Sequence, residues 1–154
     1  MTFTFGFSRL FAADLPLQSD AHQDSVDDFL DLYEKLGLAD QTKFPGRLSP
    51  SWHTLPKNHN NYAYAQLHSL WHYHCGIPHY SGGKAWGNTS EYLIHFHWVG
   101  QGTHIDLVDL YEHYRYGGDF YIPTLERLVV APETAPASPP APSVAPADNP
   151  TSAA

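Results

Sequence analysis

Two H-x-H pairs, His72-Tyr73-His74 and His95-Phe96-His97, stand in a stretch that also holds His68, His104 and His113. Imidazole both takes and gives a proton near neutral pH, and in its neutral form it ligates metals. Three roles are open to such a cluster. The first is general acid–base cleavage of a phosphodiester. A histidine takes the proton of a ribose 2′-OH, a second group protonates the leaving 5′-oxygen, and a cation steadies the charge on the phosphate. His72, His74 and His95, with His113, Tyr114 and Arg115, supply those types without a cofactor. The second is a metal centre, for which paired imidazoles on neighbouring strands are suited. The carboxylate expected a few residues after H-x-H is missing from His97-Trp98-Val99-Gly100-Gln101-Gly102. The third is structural: imidazoles on a sheet face hydrogen-bond to their surroundings and do no chemistry.

The patterning around the histidines is that of strands. From Leu67 to Cys75 the odd positions Leu67, Trp71, Tyr73 and Cys75 are apolar, while His68, His72 and His74 share the other face. From Tyr92 to Val99 the bulky residues Tyr92, Ile94, Phe96 and Trp98 alternate with His95 and His97. Antiparallel pairing of these two strands would gather five histidines on one surface. A third run, His104 to Tyr111, mixes Ile105, Leu107, Val108 and Leu110 with Asp106 and Asp109 and suits a central strand buried on both sides. Thr2 to Phe7 alternates as a short edge strand. One helix is expected with Ser25 as its N-cap, Val26, Phe29, Leu30, Tyr33 and Leu36 on its inner face, and Gly37 as its stop. Pro123 can open a last turn through Leu125 and Leu128. The fold expected is α+β: a small antiparallel sheet of four or five strands with one or two helices on one face.

The sequence allows a single domain over residues 1–130. Residues 131–154 contain seven prolines and eight alanines and no aromatic residue, and read as a disordered, polyproline-leaning tail. One cysteine, Cys75, and the lack of a signal peptide or a membrane-spanning apolar run lead to the expectation of a cytoplasmic protein. The net charge of −8 speaks against nucleic-acid binding by the chain as a whole. The charge is uneven, however. Residues 14–40 carry eight acids and one base, whereas residues 41–130 balance six acids with six bases and hold ten of the eleven histidines. The acids of the helix, Asp24, Asp27, Asp28 and Asp31 among them, are either a solvated outer face or a docking face for a basic partner.

Two connecting stretches carry further candidates. Residues 43–61 are rich in Pro, Asn, Ser and Gly and read as a loop whose Lys43, Arg47, His53, Lys57 and His59 could contact phosphate. Residues 77–88 form a long connection with Gly82-Gly83 at its tip, where Lys84 could meet a phosphate and Trp86 could stack on a base of single-stranded RNA.

The order of helix, basic loop, H-x-H strand, long loop and two further apolar strands resembles the RelE/ParE superfamily of bacterial toxins, in particular its YafO-type mRNA interferases. The likeness rests on His72-Tyr73-His74, on Asn88-Thr89-Ser90-Glu91 leading into Tyr92-Leu93-Ile94-His95-Phe96, and on Leu107-Val108-Asp109-Leu110 with Glu112-His113. It implies a compact α+β domain with an active cleft on the exposed side of the sheet. It further implies metal-independent cleavage of mRNA at the ribosome and silencing by a cognate antitoxin. On that likeness His72, His74 and His113 are the functional histidines, with Thr89, Ser90 and Glu91 shaping the site. A non-enzymatic protein that binds a partner through its acidic helix, and a His-rich metal-binding sheet, remain alternatives.

Overall fold

The computed structural model describes residues 1–112 and 120–130, and the fold is given for these. It is α+β. The strands are β1 (Thr4–Phe7), β2 (Leu48–Pro50), β3 (Leu70–His74), β4 (Tyr92–His97) and β5 (His104–Glu112). They form one sheet in the order β1-β5-β4-β3-β2. Pairing is antiparallel from β2 to β5, while β1 lies parallel to β5 along the sheet edge, so the sheet is mixed rather than wholly antiparallel. The helices are α1 (Arg9–Asp14), α2 (Asp20–Leu36), α3 (Asn60–Leu67) and α4 (Leu125–Leu128).

One face of the sheet is closed by α2. Val26, Phe29, Leu30 and Tyr33 of its inner stripe pack on Trp71 and Tyr73 of β3, Ile94 and Phe96 of β4, and Ile105 and Leu107 of β5. Phe29 is the hub, its ring stacked 4.6 Å from that of Tyr73 and 5.6 Å from that of Phe96. The helix starts earlier than its apolar stripe indicates. Ser19, not Ser25, is the N-cap, its hydroxyl accepting from the His22 amide, and Ser25 instead donates to the Cys75 carbonyl. The first turns carry polar residues because they reach past the apolar core; there His22 meets the Tyr92 ring. Gly37 ends the helix with φ +69°, and a side chain there would strike the Phe3 ring.

The other face is covered in pieces. Ala65 of α3, Leu70, Val108, Ile122 and Leu128 of α4 form a smaller apolar cluster over one part of it. α3 falls where a loop and the start of a strand were expected: Leu67 is its exposed last residue and β3 begins only at Leu70. Its sequence, NNYAYAQL, buries only Ala65 fully and so carries no apolar stripe to read. Residues 113–119 and the Ala/Pro-rich stretch 131–154 lie outside the described residues. Among the described residues no helix is long and apolar enough to cross a membrane.

Candidate functional site

The alternation of β3 and β4 sends their histidines to the piecemeal face. In register across four strands lie Ser49 of β2, His72 of β3, His95 of β4 and Asp109 of β5. Paired residues share a face, so these side chains form a polar row across the sheet. A bulge between β4 and β5 sets its far end. His95 pairs with Asp109 and Phe96 with Leu107, leaving Val108 as the extra residue. Leu107 and Leu110 thereby stay in the α2-side core while Asp109 lies beside His95.

His72, His74 and His95 are all buried, and the His72 ring centroid lies 5.6 Å from that of His74 and 5.5 Å from that of His95. Nδ1 of His72 is 2.9 Å from the hydroxyl of buried Ser51, whose carbonyl in turn accepts from Thr54 Oγ1. Nδ1 of His74 is 2.9 Å from both the amide nitrogen and the carbonyl oxygen of Ser90, so either neutral tautomer finds a main-chain partner there. These second contacts fix both rings.

His95 differs. Among the described residues neither of its ring nitrogens has a hydrogen-bond partner, and Asp109 Oδ1, at ion-pair distance 3.7 Å from Nδ1, has none either. The other carboxylate oxygen of Asp109 accepts from the Tyr121 hydroxyl. Buried polar atoms without partners oppose folding, so this corner is held against its own desolvation cost. At the opposite end of the face His97 Nδ1 donates to the His68 carbonyl at 2.6 Å. Burial first, and then the neighbouring His97, push the His68 imidazole below its ordinary value.

Above the row opens a cavity of about 460 Å³. It is lined by Arg47, Ser49, His53, Thr54, His72, His74, Thr89 and Ser90. Arg47 is brought there by close packing of the chain before β2 on the end of β3. The His74 amide donates to the Arg47 carbonyl at 3.0 Å, and a Cβ at Gly46 would collide with the His74 carbonyl oxygen. No carboxylate is among the described lining residues, in a chain with twice as many acids as bases. Among the described residues, no group of three or more His, Cys, Asp and Glu side chains is disposed to hold a metal ion.

Of the residues singled out from the sequence, His72, His74, Thr89 and Ser90 come together in this cavity, with His95 buried beside His72. Lys84 and Trp86 line a neighbouring cavity. Glu91 and Lys57 are exposed and line neither of the two. His113, Tyr114 and Arg115 lie outside the described residues. Arg47 and His53 belonged to the basic loop, but nothing in the sequence distinguished them from Lys43, Lys57 or His59. Ser49, Ser51 and Tyr121 carried no signal, and Asp109 was read only as part of a strand motif, since each reaches the histidines only through strand register or a chain return. Fold and site together define a small α+β domain with a cavity lined by histidines and Arg47 on one sheet face. No protein-family model, curated protein or solved structure matches the chain.

Proposed function

We propose that the histidine cavity is the active site of a metal-independent endoribonuclease of the toxin type, cutting mRNA at the ribosome in the cytoplasm and held silent by a cognate antitoxin. The observation that carries this reading is the pairing of two positioned imidazoles, His72 and His74, with Arg47 around one open cavity lined by no described carboxylate. In the reaction one imidazole takes the proton of the ribose 2′-OH as the 2′-oxygen bonds to phosphorus. A second, protonated imidazole gives its proton to the departing 5′-oxygen, leaving a 2′,3′-cyclic phosphate and a free 5′-OH. Arg47 would meet the phosphate oxygens as charge grows on them, and His53 lines the same cavity.

Induced expression in a bacterial host tests the reading. Wild type is expected to arrest growth with loss of intact mRNA, whereas His72→Asn leaves growth and mRNA intact while remaining soluble and folded. Normal growth and intact mRNA with folded wild type would refute it. A second reading draws on α2, whose Asp20, Asp24, Asp27, Asp28, Asp31 and Glu34 are all exposed. A protein working through that face would lose a basic partner on neutralisation of these acids and be indifferent to His72.

A further inference from the structure

Beside the histidine cavity lies a second one of about 590 Å³, a size in the range of ligand sites. Arg47 lines both, so the two cavities adjoin at this residue. The wall away from Arg47 is the segment Lys84, Ala85, Trp86 and Gly87. Trp86 is 45% exposed, and no other tryptophan of the chain is as open.

An exposed indole on a loose loop would mean little, but this segment is pinned. Asn88, itself buried, accepts from the Lys84 amide at 2.8 Å, and its side-chain NH2 donates to the Lys84 carbonyl at 2.8 Å and to the Pro45 carbonyl at 2.9 Å. Its main chain accepts from the Arg47 amide at 2.9 Å, and the Gly87 amide donates to the Phe44 carbonyl at 3.3 Å. Trp86, Lys84 and Arg47 are therefore carried by two segments locked to each other, and the indole is presented to solvent at little ordering cost to a ligand. As in the first cavity, no described lining residue is acidic.

We infer that the second cavity is a nucleobase subsite: an unpaired base of the RNA chain stacks on Trp86 while the phosphate joining it to the next nucleotide lies at Arg47, and Lys84 meets the backbone beyond. The inference rests on the ribonuclease reading of the first cavity and gives it a substrate class, single-stranded RNA entered from the Trp86 side. A base in a duplex has its faces covered by its neighbours, so only an unpaired one can take this place. The shared Arg47 sets the order along the strand, with the stacked nucleotide directly next to the phosphate that reaches the histidines.

The test uses the full chain and a 2′-O-methyl RNA trinucleotide, which cannot be cleaved and so reports binding whatever the catalytic outcome. Trp86→Ala is expected to weaken binding by roughly tenfold to a hundredfold, with Trp86→Phe restoring most of it. A trinucleotide with one abasic position should lose the same factor on wild type and lose nothing further on Trp86→Ala. Equal binding of the intact trinucleotide by wild type and a folded Trp86→Ala protein would overturn the inference. So would tighter binding of a duplex, or binding of a poly-glutamate peptide that is equally sensitive to Trp86. The ribonuclease reading fails separately: wild type that stacks the trinucleotide yet cleaves no cleavable RNA keeps the subsite and loses the reaction.

Discussion

The two faces of the sheet come from the same strands and differ by one residue of phase. On the α2 side every inward position is apolar and closed by a single helix, and Phe29, Phe96, Ile105 and Leu107 are essentially inaccessible to solvent. On the other side the same strands present His72, His74, His95 and Asp109 under a cover assembled from α3, a 3₁₀ turn at Ser51–Thr54, α4 and Phe120–Ile122. The first face makes the fold stable. The second leaves His95 and one oxygen of Asp109 without hydrogen bonds among the described residues, with an open cavity beside them. Proteins keep such corners where the groups are used, at a cost carried by the rest of the molecule.

Substitutions on each face should separate these roles. The largest effect is expected from His72→Asn, which should lower RNA cleavage about 10²- to 10⁴-fold with the folded spectrum unchanged. Phe29→Ala should act in the opposite sense. It should cost about 3–5 kcal/mol in urea unfolding because the stacked ring cannot be replaced by collapse, while the folded fraction binds the trinucleotide normally. His95→Leu sharpens the contrast. Removing two ring nitrogens that make no hydrogen bond among the described residues should leave stability within about 1 kcal/mol of wild type or raise it, and a loss above about 2 kcal/mol would show that the His95–Asp109 contact is structurally required.

The smallest effect belongs to the α2 side at high pH. Burial, with Asp106 nearby, raises the Tyr33 hydroxyl to about 12, and burial pushes the Cys75 thiol up to about 12. Below the ordinary values both groups stay protonated whether folded or unfolded, and neither makes stability depend on pH. Above them the unfolded chain loses protons the folded one retains, so stability falls as pH rises toward 12. Tyr33→Phe should flatten the upper part of that decline in alkaline urea melts. Native Cys75 should stay silent to a thiol reagent at pH 8 and react on unfolding.

The phase of the sheet was legible in the sequence because alternation is a local property. Trp71, Tyr73, Ile94 and Phe96 fall on one side and His72, His74 and His95 on the other as the pattern requires. The parallel pairing of β1 with β5 was not, since no local feature of Thr4–Phe7 distinguishes one direction from the other. The start of α2 was missed because Ser19 and Ser25 are equally good caps and only the apolar stripe chose between them. In the site, the histidines on strands could be read but their partners could not. Ser51 reaches His72 through a turn, and Asp109 reaches His95 through a bulge that shifts register by one residue. Arg47 was one cation in a loop until Gly46 packed it against the end of β3.

The most direct measurement is cleavage of mRNA, naked and on ribosomes in magnesium buffer, by purified wild type and His72→Asn, each treated with a chelator that is removed before the assay. The expected result is cleavage by wild type alone, undiminished by the chelator, yielding 2′,3′-cyclic phosphate ends and failing on substrate with 2′-deoxyribose at the cut position. Cleavage that survives His72→Asn, or that is lost after the protein has been treated with the chelator, would contradict a histidine-driven, metal-independent site.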